Sequence, residues 1–347
     1  MKLGLLLKSS DPKGVDMDLV LEAESLGYES VWTGESYGSD VVTPITWVLA
    51  RTTRIKAGTG IMQMSARTPS CAAMTAMSLQ QLSGNRFLCG IGASGPQVIE
   101  GWHGEHFGKP QARTREYVAI IRKILERKAL LEHRGEHYTI PYDGPGMTGL
   151  GKPLKSILHA DPSLKIYTAV TSPAGLRTAG EVADGVLPIF MSPEQADLVA
   201  RPIEEGLAKS GNSRTLADFD IAPYVRVCMG DDVAACRDAL RPELALYIGG
   251  MGARSKNFYN DVAIRLGYEQ AAADIQTLFL DGKRREAAAA VPDRLVDEIS
   301  LVGPKERIRD RLQAWQATAK QHKVQSLVLS QVRREWLRPL MEAANQG

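Results

Sequence analysis

Three side chains could carry proton chemistry: Glu35, directly after SVWTG (30–34), and Glu100 and His103 in the run GPQVIEGWHG. A carboxylate at the end of an apolar run can act as acid or base or bind a polar edge of a ligand, and a histidine titrates near neutral pH. A surface-loop glutamate and a hydrogen-bonded structural histidine are equally good readings of the same residues. Trp102, next to His103, offers a flat apolar wall. His106, His133 and His137 do not form a metal set. The run HRGEH places two histidines four apart in a segment broken by glycine, and no third ligand follows at useful spacing. There is no P-loop. GIGASG followed by PQVIEG is a poor dinucleotide fingerprint, because Pro96 falls where the helix should begin and no ribose-binding acid follows.

The other candidate residues are chiefly bare backbone. GTGI (58–61) contributes Thr59, Gly60 and Ile61; GASGPQ (92–97) contributes Ser94, Gly95, Pro96 and Gln97; TSPAG contributes Thr171, Ser172, Pro173, Ala174 and Gly175. Glycine lets a flat ligand approach the main chain closely, and Gly60-Ile61 is a candidate for a non-proline cis peptide. Ser172 reads as a helix N-cap with Pro173 at the first helical position. The N–H groups of Ala174 and Gly175 would then face an anion, with Arg177 nearby. Taken singly, these glycines merely turn strands into loops; gathered at one face, they back a broad ligand.

The elements that must position them alternate. Apolar strand patterns at 2–7, 30–34, 54–60 and 86–92 precede helical patterns at 15–27, 43–53, 69–83 and 113–131, with the first helix following the first strand and so on. The second half continues with strands at 165–170, 185–190, 221–229 and 324–330, helices near 173–183, 193–210 and 232–248, and a terminal helix from Val332 to Ala344. Eight strands apolar on both faces, regularly separated by helices, predict a closed (β/α)8 barrel. Residues 132–164 and 249–302 break the rhythm as insertions after the fourth and seventh helices of one elaborated domain, residues 1–347. In such a barrel the chemistry lies at the strand ends: Leu7, Lys8 and Ser9; Gly34 and Glu35; GTGI; GASGPQ; TSPAG; Phe190 and Met191. A helix start like Ser172–Gly175 is where such barrels hold a cofactor phosphate.

Composition excludes several partners. A net charge of +2 from 42 basic and 40 acidic residues gives no basic stripe, so neither nucleic acid nor an anionic membrane is indicated. Cys71, Cys89, Cys228 and Cys236 show no CxxC and read as reduced core thiols. The amino-terminal apolar run stops at Lys8, too short for a signal sequence or a span, so the expected compartment is the cytoplasm.

The runs VWTGESYGSDVVTP, GTGIMQMSARTP, GASGPQVIEGWHG, AGEVADGVLPIF, YIGGMGARSKNFYNDVAIRLGYE and LVGPKERIRDRL followed by SLVLS resemble the luciferase-like monooxygenase superfamily, and within it the actinobacterial F420-dependent oxidoreductases. The resemblance spans essentially the whole chain. It implies a bacterial-luciferase-like TIM barrel, commonly a homodimer, binding the deazaflavin coenzyme F420 or FMN at its mouth. It places Gly60 and Ile61 behind the ring, Ser94 to Gln97 beside it, Ser172 to Gly175 around the phosphate and Glu35 near the ring. The segment 249–261 resembles the family's insertion, bringing Arg254 and Lys256 toward an acidic coenzyme tail. Where the related methylenetetrahydromethanopterin reductases place a catalytic glutamate, this chain reads Leu6, Leu7, Lys8. The implied activity is hydride transfer between F420 and a small organic substrate. The alternatives are an FMN-dependent monooxygenase served by a separate flavin reductase, and a flavin- or deazaflavin-binding protein without turnover.

Overall fold

The computed structural model describes residues 1–8 and 14–345, so Ser9 lies outside the described residues. Eight barrel strands appear: β1 (Lys2–Leu6), β2 (Ser30–Thr33), β3 (Lys56–Thr59), β4 (Phe87–Gly92), β5 (Ile166–Thr168), β6 (Gly185–Val186), β7 (Tyr224–Met229) and β8 (Ser326–Ser330). All their ladders are parallel, and the order runs β6-β5-β4-β3-β2-β1-β8-β7. Residues just before β7 and its first residue close the ring. Asp220–Ile221 pairs with β6, Ala222 N donates to Val186 O at 2.9 Å, and Tyr224 N donates to Pro188 O at 2.9 Å. Their other edge meets β8, where Val328 N donates to Pro223 O at 3.0 Å. Pro223 has no N–H to give, which splits one sequence-level strand into two ladder segments.

The strands are apolar throughout because both faces are covered: SVWT, FLCGIG and SLVLS are buried at every residue. Alternating side chains fill the barrel, where Trp32, Leu88, Tyr167, Leu187, Ala222 and Val328 form one cluster. Their neighbours pack outward on the helices, including Val31, Cys89, Ile166, Val225 and Leu327. Cys89 and Cys236 are buried and Cys228 is half-buried, but Cys71 is exposed, which corrects its reading as a core thiol. Its helix, Pro69–Leu82, buries Ala72, Ala73, Ala76 and Met77 and turns position 71 to solvent.

The insertions are more structured than their sequences suggest. Residues 249–302 hold four helices, Phe258–Arg265, Glu269–Leu280, Arg284–Ala289 and Asp293–Ile299, over a second apolar cluster. They also hold a strand, Ser300–Gly303, that pairs with Arg226–Met229 of β7. This strand follows its helix with no intervening loop, so hydrophobic periodicity does not separate them. The helix Val233–Ala245 runs on into a π-helical turn, Leu246–Gly250, whose two glycines lie against Phe279. The first insertion begins as a hairpin, His133–Arg134 against Thr139–Ile140. No helix among the described residues is long and apolar enough to cross a membrane.

Candidate active site

At the carboxyl ends of β2, β3 and β4 the barrel shows main chain in place of side chains. The Gly60-Ile61 peptide is cis. Gly60 N donates to Thr33 O at 2.7 Å, and Tyr224 Oη, reaching across the barrel, donates to Gly60 O at 3.1 Å. Burial raises the pKa of Tyr224, so the phenol keeps its proton for that bond. Thr59 Oγ1 ties β3 to β4, donating to Gly90 O at 2.7 Å and accepting from Gly90 N at 2.9 Å. A Cβ on Gly60 would lie 2.2 Å from Tyr224 Oη, one on Gly92 2.9 Å from Ile61 Cδ1, and one on Gly34 3.0 Å from Gly60 O. The bare surface is therefore built in by close packing.

Rare backbone gathers at the same end. Ser94, Phe190 and Gln331 follow β4, β6 and β8 with φ of 57°, 56° and 60°. Non-glycine residues with positive φ are uncommon and cluster where function fixes the chain. Six such residues occur among the described residues; the other three are Asn85 and His322, ahead of β4 and β8, and Arg127, which ends a helix.

Glu35 is brought to this end, but its carboxylate is occupied. Arg67 Nη1 donates to Oε1 and Oε2 at 3.0 and 2.9 Å, and Gln63 N donates to Oε2 at 3.0 Å. The Glu35 side chain is only 8% exposed. Burial disfavours the Arg67 charge, yet the hydrogen bonds and attraction of Glu35, helped by Asp40, hold its pKa above the ordinary value. Gln63, wholly buried, links Glu35 to His103. Its Nε2 donates to Glu35 O at 3.2 Å and Ser36 O at 2.9 Å, so its Oε1 must face His103 Nε2, at 2.7 Å. His103 Nε2 therefore carries hydrogen toward Gln63, and in the neutral ring Nδ1 holds the lone pair. Glu100 is exposed and stands apart from this chain of bonds. Trp102 lies 6.4 Å from Tyr37, ring centre to ring centre, and is 65% exposed.

Pro96 opens a six-residue helix, Pro96–Gly101; at the first helical position its missing N–H costs nothing. Gly95 caps it without a side chain and Gln97 is exposed. At the other candidate helix, Pro173–Val182, Ser172 caps as expected, but its Oγ accepts from Gly175 N at 3.1 Å. Gly175 N–H is thus consumed by the cap itself, correcting its reading as free. Ala174 is exposed, and Arg177 turns to Glu205 at 3.2 Å. Thr171 O instead accepts from Arg265 Nη2 of the second insertion at 2.7 Å. Lys256 Nζ sits over the Phe107 ring at 5.2 Å, joining the insertion to the loop after β4, while Arg254 is exposed. Away from the mouth, His133 Nε2 lies 3.2 Å from Glu116 Oε2.

Sequence reasoning missed Gln63, Arg67, Tyr224 and Arg226. Arg226 is 3% exposed, donates from Nη2 to Glu243 Oε1 at 3.0 Å, and stands 5.1 and 5.2 Å from the centres of Phe190 and Tyr247. A polar residue inside the apolar run YVRVCM was the available signal.

The sequence pattern described as luciferase-like monooxygenase matches residues 11–322. A Mycobacterium tuberculosis protein provisionally named a coenzyme F420-dependent oxidoreductase is 43% identical over 91% of this chain and 92% of its own. A 5,10-methylenetetrahydromethanopterin reductase of Archaeoglobus fulgidus is 29% identical over 84% and 82%. Among solved structures, the F420-dependent tetrahydromethanopterin reductase of Methanopyrus kandleri superposes with a TM-score of 0.76 at 20% identity, covering 99% of this chain and 98% of that one. An F420-dependent secondary alcohol dehydrogenase holding an F420-acetone adduct gives 0.75 at 17%, with the same coverage.

Proposed function

Since the chain belongs to the luciferase-like monooxygenase family, we propose that it is an F420-dependent oxidoreductase that transfers a hydride between F420 and a small organic substrate. The observation that carries this reading is the cradle of bare backbone at Gly34, Gly60 and Gly92, joined by the cis Gly60-Ile61 peptide and braced from behind by Tyr224. Its shape suits a flat ring: any Cβ there would meet protein atoms. Thr59 holds the two cradle strands in register. Ser94, Gly95, Pro96 and Gln97 flank the ring, and the amino end of helix Pro173–Val182, with Thr171, Ser172, Pro173 and the N–H of Ala174, receives the phosphate, while the Gly175 N–H stays with the Ser172 cap. The bound coenzyme supplies a carbon centre that accepts or donates the hydride.

The protein's own groups orient and move protons. His103, its tautomer fixed by Gln63, presents Nδ1 as the proton acceptor or donor for the substrate oxygen. Glu35 acts through others: it anchors Arg67 and Gln63 and thereby aims His103. Glu100 has the reach of a surface acid and serves proton exchange with solvent. Lys8 lies two residues beyond the end of the first strand and is exposed, so the substrate meets a cation there. The reading includes a cytoplasmic homodimer, and light scattering that gives a monomer at micromolar concentration would remove the dimer.

Glu35→Gln separates positioning from acid-base work. Stability is expected to fall by about 1–3 kcal/mol in urea unfolding, with kcat retained within about tenfold. A kcat loss of about 100-fold or more would make Glu35 itself the acid or base. Turnover is tested by adding small alcohols, aldehydes and ketones to the F420-loaded protein without oxygen and following the deazaflavin absorbance. A substrate-dependent change is expected; oxygen uptake with reduced FMN and no change with F420 would overturn the reading.

A further inference from the structure

Arg226 takes no part in the cradle or in the Glu35, Gln63 and His103 chain, yet it is a charge almost wholly buried at the mouth. It lies two residues beyond Tyr224 on β7, hence on the same inward face, and is level with Ser330, the last residue of β8. Nη2 donates to Glu243 Oε1, while Glu243 Oε2 accepts from Gln331 Nε2 and Arg226 Nε is left buried without a partner. A buried ion pair is a poor source of stability, because apolar residues of the same volume do as well. The use of Arg226 lies in what it holds.

What it holds is aromatic. The Phe190 and Tyr247 rings lie 5.1 and 5.2 Å from its guanidinium carbon, and Tyr259 stands 4.8 Å from Tyr247 and 6.2 Å from Phe190, ring centre to ring centre. Tyr247 belongs to the π-helical turn Leu246–Gly250, an irregularity that recurs at functional sites. Two buried amides pin that turn. Asn257 Nδ2 donates to Tyr247 O at 3.1 Å and Ile248 O at 2.9 Å, and Asn260 Nδ2 donates to Ile248 O at 3.1 Å. The Tyr247 ring so fixed is half-buried, and its phenol keeps accessible surface and bonds to no described residue. Packing alone would be served as well by phenylalanine. Burial and then the Tyr247 and Tyr259 phenols raise the Tyr224 pKa, so both phenols stand near the one that braces Gly60.

We propose that Tyr247 is a substrate-binding residue whose phenol donates to the oxygen of a ketone or aldehyde lying over the cradle, and that Arg226 is the positioning residue that aims it. This rests on the reading of the chain as an F420-dependent oxidoreductase. As hydride forms the new C–H bond, the C=O π pair moves onto oxygen, which takes its proton from His103 to complete the alcohol. The charge that builds on oxygen faces the Tyr247 O–H, with the Arg226 cation behind the ring. Alcohol oxidation runs through the same contacts in reverse. Burial raises the Tyr247 pKa and Arg226 opposes the rise, so the phenol stays a donor.

Removing only the hydroxyl tests this. With F420 bound, Tyr247→Phe is expected to keep the wild-type unfolding temperature and coenzyme dissociation constant and to lose about 100-fold in kcat on cyclohexanone. Tyr259→Phe is expected to change kcat far less. Arg226→Met leaves Glu243, itself half-buried, to Gln331 and water, so the fold is kept while kcat falls. The Arg226→Met, Tyr247→Phe double variant is expected to lose no more than the worse single variant. Normal kcat in Tyr247→Phe overturns the proposal. So does a larger loss in Tyr259→Phe, or losses that multiply in the double variant. Failure of the oxidoreductase reading shows differently, as wild-type protein that turns over no ketone, aldehyde or alcohol with F420. Calorimetric titration with cyclohexanone then decides: Tyr247→Phe must weaken binding about tenfold, and unchanged affinity, or no binding to wild type, overturns the proposal.

Discussion

Gly60→Val is expected to abolish coenzyme binding while the protein still folds. A Cβ at this position falls 2.2 Å from Tyr224 Oη, and the cradle can accept it only by pushing Tyr224 or the Gly60-Ile61 peptide out of place. The smaller Gly60→Ala change is expected to cost about 1–3 kcal/mol of coenzyme affinity, roughly ten- to a hundredfold. The cause can be isolated. Removing the phenolic oxygen by Tyr224→Phe leaves Cζ as the nearest atom at 3.5 Å, an ordinary contact. The Gly60→Ala, Tyr224→Phe double variant is therefore expected to regain most of the affinity that the single variant loses. Affinity equal to wild type in Gly60→Val would show that the ring does not rest on this strand end.

His103→Ala is expected to lower kcat by about 100- to 10,000-fold, with the coenzyme dissociation constant little changed. The imidazole is held by one hydrogen bond that its Nε2–H donates to the oxygen of a buried amide, whose own N–H donors are committed to Glu35 O and Ser36 O. Gln63→Leu should therefore act through His103: it frees the tautomer and displaces the ring, so the pH profile of kcat shifts while the coenzyme still binds. A His103→Ala protein with normal kcat would assign proton transfer elsewhere.

The fold was legible because its signals are local and repeated. Apolar strands such as SLVLS and capped helices such as that after Ser172 declare themselves within a few residues. The glycine runs at 58–61 and 92–97 pointed to the mouth, and the cis bond at Gly60-Ile61 stands where the GTGI run suggested. What was not legible depends on the ring closing. Tyr224 is 164 residues from the Gly60 carbonyl it braces, and Arg67 is 32 residues from Glu35. No spacing rule joins such pairs. The same distance concealed that Glu35 is a buried half of an ion pair, and that Gly175 N–H is spent on its own cap. Ser300–Gly303 was hidden for the opposite reason: it is so close to its preceding helix that no turn marks the change.

The central claim is that the cradle at Gly60-Ile61 holds the ring of F420. Equilibrium titration of the purified protein with F420 and, separately, with FMN, each followed by fluorescence, tests it most directly. The account predicts saturable F420 binding that is lost in Gly60→Val, with FMN bound far more weakly. Tight FMN binding with none for F420 would contradict it and turn the chemistry toward oxygen.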